Sequence, residues 1–234
     1  MKKTENNDNN VLFFLKFGSE KNMLDLLNNG TIYFNTIDYF QKLEREKERG
    51  DKYEGTTNIK NYHEYDNLTL TLKIPNTEKE IKTKPTKLHL REYLTEIKGN
   101  IYSLYSLKTP ELYNLNFKID QRVKEFGTHF VIIKNPTEFL NRIVSELRNK
   151  GISFRYRGVN YYAKNKINGK ISLFDKVSEY NYQYEFRILL YRNEITPFSI
   201  KIGDINNIAE IFEVDAIDKM EFNWIKNKGE KLIE

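Results

Sequence analysis

The feature that most constrains the fold is the excess of strand-like segments over helical ones. Short strand-like runs, some continuously apolar and some alternating between apolar and polar residues, recur along the chain. Examples are VLFFLKF, TIYFN, KLHLREYL, NIYSLYSL, THFVII and FSIKIG. Helical segments do not follow the strands in regular alternation, which argues against a doubly wound parallel sheet. The sequence therefore predicts an α+β fold, with a largely antiparallel mixed sheet and two to four packed helices.

Two segments carry clear helix boundaries. Ser19 precedes an apolar-periodic stretch that stops at Gly30, as an N-cap serine and a C-terminal glycine would do. Asn135 stands before the stretch PTEFLNRIVSELRNK, with Glu138 placed to complete a capping box and Gly151 placed to end the helix. Both helices have one apolar face, so both should pack on the sheet.

Three other segments extend this prediction. The polar residues 1–10 read as a disordered tail, and residues 11–234 as one compact domain. The alternating stretch NLTLTLKI, residues 67–74, predicts a half-buried strand. Asp204 is placed to cap a short last helix, INNIAEIF.

Composition narrows the possible functions. The chain has no cysteine, which excludes disulfides, thiolate-bound zinc and a thiol nucleophile. Its longest apolar runs are far shorter than the roughly 20 residues that a membrane helix needs, and its first residues lack the apolar centre of a secretory signal. We therefore expect a cytoplasmic protein without membrane contact. A net charge of +5 and a pI near 9.0 favour anionic partners, from nucleic acid to phosphate-bearing cofactors.

Several common sites are missing from the sequence. Neither a G-x-G-x-x-G nor a Walker lysine loop is present, and no G-x-S-x-G elbow anchors a hydrolase triad. The three histidines, His63, His89 and His129, stand at spacings that do not fit a metal site. We therefore expect no metal.

One predicted strand, SEYNYQYEFRILLYR, places an amide, a carboxylate and a guanidinium together. Gln183, Glu185 and Arg187 would share a face that is solvent or cleft, with apolar residues on the opposite face. In one interpretation these charges only pair with neighbouring strands. In the other, Glu185 is a catalytic carboxylate in a pocket, while Gln183 and Arg187 orient substrate or hold phosphate.

The charged stretch EREKERGDKYEG, residues 44–55, offers a second candidate. Arg45 and Arg49 could supply fork-shaped phosphate contacts, and Tyr53 could stack on a base or a nicotinamide ring. The alternative is a solvated helix end followed by a mobile loop.

Two serines and a tyrosine-rich run complete the candidates. Ser103 and Ser106 are three apart on a predicted strand, so they should face opposite sides and only one should matter. The alternative is that their role is structural. In a non-enzymatic binding module, bases could stack on side chains in the run FRYRGVNYYA, while lysines track phosphates. The side chains in question are Arg155, Tyr156, Arg157, Tyr161 and Tyr162.

In order along the chain, these pieces resemble the ADP-ribosyltransferase-like group. The early strand and helix in LKFGSEKNMLDLLNNGTIYF, the serine-bearing YSLYSL and the late Gln-x-Glu in QYE correspond to its NAD-site segments. The resemblance implies NAD as cofactor, a catalytic Glu185 that steadies the ribose as nicotinamide leaves, and a Gln183 that helps choose the acceptor. Lys16 stands where the group has an arginine or histidine on its opening strand, with Arg49 as a substitute.

The whole chain also resembles uncharacterised bacterial proteins found near mobile elements and phage-defence genes. The shared segments are KFGS, GTIYFN, RGDKYEG, YEFRI and IGDI. Together the two resemblances imply a toxin or defence effector that modifies protein or nucleic acid with NAD. The alternative is a module that binds nucleic acid or protein in phage–host conflict without catalysis.

Overall fold

A computed structural model describes residues 11–40, 55–63, 66–93, 98–109 and 117–221. Two α-helices lie wholly within the described ranges, α1 (Glu20–Asn29) and α2 (Pro136–Asn149), and there are 3-10 segments at Gln121–Phe126, Ser178–Gln183 and Val214–Lys219. The strands are β1 (Val11–Gly18), β2 (Thr31–Thr36), β3 (Thr56–His63), β4 (Leu70–Lys73), β5 (Glu80–Thr83), β6 (Lys87–Tyr93), β7 (Asn100–Lys108), β8 (His129–Ile133), β9 (Ser153–Gly158), β10 (Asn160–Tyr162), β11 (Gly169–Lys170), β12 (Asp175–Val177), β13 (Glu185–Tyr191), β14 (Phe198–Lys201) and β15 (Ala209–Glu213).

The main sheet has eight strands and confirms the predicted α+β fold. Its strand order is β14-β2-β7-β1-β8-β15, and β13 joins β7 on one side and β9 on the other. Among the described strands, the β10–β12 pair is parallel and every other pair is antiparallel.

Strand β7 is the centre of this sheet, and one of its edges is shared by two strands. At its start, Asn100 and Ile101 pair with β2, and from Tyr105 onward it pairs with β1. Between these points the described residues place no strand against Tyr102, Ser103 and Leu104 on that edge. The sheet is therefore split between β1 and β2, while the other edge of β7 pairs continuously with β13.

Both faces of the main sheet are covered. Helices α1 and α2 bury Met23, Leu26, Phe139 and Ile143 on one face, in a core that includes Phe14, Tyr102 and Phe186. On the opposite face, Val123 and Ile217 of two 3-10 segments pack with Leu15, Tyr105 and Leu107. This double cover removes the sheet interior from water.

The predicted helix boundaries are confirmed. The Ser19 side chain accepts a hydrogen bond from the backbone of Asn22, and Gly30 takes the left-handed conformation at φ 60°. Asn135 caps α2 by accepting from the Glu138 backbone N–H at 3.0 Å, and Gly151 follows the helix at φ 66°. Each cap satisfies donors or acceptors that the helix itself leaves open.

Two sequence predictions are wrong in this part of the fold. The stretch after Asp204 is not a helix, because residues 209–213 form strand β15, which pairs along the edge of β8. Asp204 caps a turn instead, accepting from the Asn206 backbone N–H at 2.8 Å. Strand β4 is not half-buried, since β4 and its partner β5 are exposed along their whole length. Leu72 is 61% exposed.

Helices in the described ranges are all too short or too polar to cross a lipid bilayer.

Candidate functional site

The predicted trio of Gln183, Glu185 and Arg187 does come together, but in a different setting from the one expected. Residues 178–183 form a 3-10 segment, and Tyr184 turns the chain in a left-handed conformation at φ 39° before β13 begins at Glu185. Gln183 therefore does not share a strand face with the other two. The solvent-facing alternative is also wrong, because Gln183, Glu185 and Arg187 are 8%, 8% and 3% exposed.

Glu185 is the centre of a buried polar cluster. Its Oε1 accepts hydrogen bonds from Arg187 Nε at 2.6 Å and from Ser103 Oγ at 2.5 Å. Its Oε2 accepts from Arg187 Nη2 and from Lys176 Nζ, both at 3.2 Å. Lys176 Nζ also donates to Gln183 Oε1 at 2.7 Å, so this lysine joins the amide to the carboxylate.

Lys176 is a member of the site that the sequence interpretation missed. It lies in β12, which pairs with β10 and which brings the lysine beside the start of β13. The side chain is 6% exposed. The sequence signal for its burial is weak: Phe174 and Val177, which are both buried, flank it.

The cluster keeps Glu185 ionised. Burial alone would raise the pKa of Glu185, but the charges of Arg187 and Lys176, with hydrogen bonds from Arg187 and Ser103, hold that pKa well below its ordinary value. Arg187 is fixed in turn by donating to the Leu173 carbonyl at 2.5 Å. A carboxylate held in this way has a defined orientation and a permanent negative charge.

Ser103 connects this cluster to the split in the sheet. Its hydroxyl donates to Glu185, while its carbonyl accepts from Lys16 Nζ at 2.8 Å across the gap between β1 and β7. Lys16 Nζ also lies 4.3 Å from the ring centroid of Tyr102. Burial lowers the pKa of Lys16 to about 8, and the charge of Glu185 partly offsets this shift. Lys16, Ser103 and Glu185 therefore form one chain of contacts through the sheet.

A cleft of about 420 Å³ occupies the split. Its walls come from β1, α1, β2 and the open edge of β7, including Lys16, Asn22, Tyr33, Tyr102 and Ser103. Ligand pockets in proteins are commonly about 300 to 1,000 Å³. The cleft is therefore large enough for one nucleoside-sized part of a ligand.

Ser106 faces a different environment from Ser103, as their spacing predicts. Its hydroxyl donates to the Tyr184 carbonyl at 2.7 Å, where it supports the turn before β13. Ser106 and Glu185 both line a smaller pocket of about 220 Å³ with Lys108, Tyr161 and Asn181. The Tyr161 hydroxyl accepts from the Glu185 backbone N–H at 2.9 Å. Ser103 lines the cleft and Glu185 lines this smaller pocket, so the hydrogen bond between the two residues links the two cavities.

The remaining predicted residues are not part of the cluster. Arg45, Arg49 and Tyr53 lie outside the described residues. In the proposed base-stacking run, Arg155, Tyr156 and Arg157 are exposed on β9, whereas Tyr161 is half-buried and Tyr162 is buried in a small core. A surface on which bases stack would therefore contain only the three exposed residues of β9. Among the described side chains, no group of three or more histidines, aspartates or glutamates is arranged to hold a metal.

Comparisons with protein families, with curated proteins and with solved structures found no match to this chain.

Proposed function

We propose that the protein is an enzyme of ADP-ribosyltransferase type that binds NAD in the 420 Å³ cleft and breaks its bond to nicotinamide. In this proposal it acts in the cytoplasm as a toxin or phage-defence effector on protein or nucleic acid. One observation carries the proposal: Lys16 and Glu185, from segments far apart in the chain, both contact Ser103, Lys16 at its carbonyl on the cleft side of β7 and Glu185 at its hydroxyl. These are the residues that the resemblance to the ADP-ribosyltransferase-like group assigns to the NAD site.

The charge of the site favours an anionic ligand. Arg187 and Lys176 both pair with the single carboxylate of Glu185, and Lys16 adds a third cationic group in the cleft on the other face of β7. Buried charges in proteins are normally compensated, so a surplus of positive charge beside a cleft favours a ligand that carries negative charge. The pyrophosphate of NAD supplies that charge.

The chemistry requires a stable negative charge near the ribose. As the bond from the ribose carbon to the nicotinamide nitrogen breaks, its electron pair leaves with nicotinamide and positive charge develops on the ribose. A fixed carboxylate stabilises that charge in the transition state more than in the ground state, which accelerates the reaction. The acceptor, or water, then bonds to the ribose carbon and loses its proton.

Each residue of the cluster has a separate role in this mechanism. Glu185 provides the negative charge, and Arg187 and Lys176 hold the carboxylate in place. Ser103 lines the cleft and donates to Glu185, so it connects the carboxylate to bound substrate. Gln183, held by Lys176 and donating to the Tyr182 hydroxyl at 3.2 Å, would contribute to acceptor choice.

Release of nicotinamide from NAD tests the proposal directly. Purified protein should release nicotinamide, with or without cell extract to supply an acceptor, and Glu185→Gln should lower the rate at least about 100-fold. Glu210→Gln is the matched control, because Glu210 is exposed on β15 and pairs with Lys134 away from the cluster. That variant should keep the full rate.

Two results would contradict the proposal. The first is no nicotinamide release by the unmodified protein under any of these conditions. The second is equal release by the Glu185→Gln variant while circular dichroism shows that it is folded, because the carboxylate would then have no part in the reaction.

A further inference from the structure

The buried hydroxyl of Tyr102 has no hydrogen-bond partner within the described part of the chain. The residue is 4% exposed, it lines the 420 Å³ cleft, and no described residue pairs with its hydroxyl. Burial raises the pKa of this hydroxyl, so it stays protonated and remains a donor. The large majority of buried side-chain polar atoms in proteins have a partner, so a donor of this kind calls for an explanation.

The neighbouring Lys16 carries a charge that no described carboxylate balances at close range. Its ammonium donates to the Ser103 carbonyl and lies over the Tyr102 ring, yet no carboxylate of the described chain lies within ion-pair distance of it. Glu185, the carboxylate that influences its pKa, lies on the opposite face of β7, since Tyr102 and Ser103 point to opposite sides of that strand. The cleft thus presents a cation and a hydroxyl donor side by side.

The other charged group that lines the cleft does not compensate them. Asp25 of α1 is among the lining residues, and it accepts a hydrogen bond from the Asn29 side chain at 2.7 Å. Because a carboxylate at the rim repels anions, a ligand's negative charge should lie on the Lys16 and Tyr102 side of the cleft, away from Asp25.

We propose that the Tyr102 hydroxyl donates a hydrogen bond to an anionic phosphate oxygen of the ligand in the cleft, beside the Lys16 ammonium. The inference rests on the proposed function, in which that ligand is NAD. Tyr102 has a donor without an acceptor, and Lys16 has a charge without a counterion, among the described residues. One phosphate group satisfies both, because it presents several strong acceptor oxygens and carries negative charge. A neutral ligand would leave the charge of Lys16 uncompensated.

Substitution of this tyrosine has opposite effects in the free and bound protein. Tyr102→Phe removes a donor that has no partner, so the free protein should unfold at the same or a higher temperature. The same change removes a hydrogen bond to a charged oxygen in the complex, so ligand affinity should fall about 10-fold to 100-fold. A tyrosine with only a packing role would not produce this pair of effects.

Isothermal titration with NAD, ADP and inorganic pyrophosphate measures the affinity. The unmodified protein should bind NAD and ADP, and both Tyr102→Phe and Lys16→Met should weaken that binding. Tyr162→Phe is the matched control, because Tyr162 is also buried but lies in a separate small core outside the cleft. Its affinity for each probe should equal that of the unmodified protein.

The outcomes separate this inference from the proposed function. Unchanged affinity in Tyr102→Phe, or no binding of any phosphate-bearing probe, overturns the inference even if nicotinamide is released. Binding of ADP that depends on Tyr102, without any nicotinamide release, supports the inference and contradicts the proposed enzyme activity.

Discussion

The buried cluster around Glu185 contains two cationic groups and one carboxylate, and this imbalance predicts how substitutions in the cluster change stability. Glu185 faces two close cations, Arg187 and Lys176, each at least nine-tenths buried. Removing the carboxylate charge leaves both cations without a counterion. Removing Lys176 leaves Glu185 still paired with Arg187 through two hydrogen bonds. The two changes should therefore differ greatly in their cost.

The magnitudes follow from this count of charges. Removing one partner of a buried ion pair typically lowers the free energy of unfolding by about 3 to 5 kcal/mol, so we expect a loss of that size for Glu185→Gln. Lys176→Met loses two hydrogen bonds but relieves the burial of a surplus charge, so its cost should not exceed about 2 kcal/mol. When Lys176→Met is added to Glu185→Gln, the free energy of unfolding should rise again by about 1 to 2 kcal/mol, because the second substitution removes one uncompensated cation.

Urea-induced unfolding followed by circular dichroism measures these values. At about pH 7 the four proteins of the double-mutant cycle should rank as unmodified, Lys176→Met, double variant and Glu185→Gln, from most to least stable. The pKa of Glu185 is held below its ordinary value of 4.5, so its stabilising contribution is present above that pH and is lost as the pH falls further. The difference in free energy of unfolding between the unmodified protein and Glu185→Gln should therefore become smaller at acid pH.

One result would refute this reasoning. If Lys176→Met destabilises the protein as much as Glu185→Gln does, or if the double variant is the least stable of the four, Lys176 is a required counterion and not a surplus charge.

Two further predictions concern the cleft and the backbone. If Lys16 binds a phosphate, the affinity for ADP should fall above about pH 8, where the free lysine loses its proton. Titration calorimetry between about pH 7.5 and 9.5 measures this fall, and a flat profile over that range would contradict it. Gly30 and Gly151 both have left-handed backbones, but a Cβ on Gly30 would collide with the Gly203 carbonyl, whereas one on Gly151 has open space. Gly151→Ala should lower the free energy of unfolding by about 1 kcal/mol, and Gly30→Ala should lower it by roughly 1 to 3 kcal/mol more. Thermal unfolding measures both losses, and equal losses would contradict the packing argument.

Local signals in the sequence predicted the helices well. At Ser19 and Asn135 the capping side chain is only a few residues from the backbone group that it satisfies. The local sequence pattern is therefore sufficient to predict where these helices begin. The same logic failed after Asp204, where the side chain does cap a turn. There the edge of β8 offers backbone pairing to residues 209–213, and this long-range interaction outweighs the local helical pattern.

The site was predicted in part. The sequence placed a carboxylate, an amide and a guanidinium together and gave Ser103 as a candidate, while the family resemblance added Lys16. The structure connects all five residues through hydrogen bonds. It could not predict their burial, because burial of Glu185 depends on Lys176 arriving from a separate strand. Tyr102 was missed because an aromatic residue on a strand looks like any other core residue until its hydroxyl is seen without a partner.

The split beside β7 has one more consequence. A cavity that exists because two strands divide one edge of a third is defined by where the main chain pairs, and the identity of most surrounding side chains matters less. Such a hollow tolerates extensive divergence in sequence as long as the strand registers are kept. Proteins that share it are better recognised by the interruption in their hydrogen-bond ladder than by the residues they have in common.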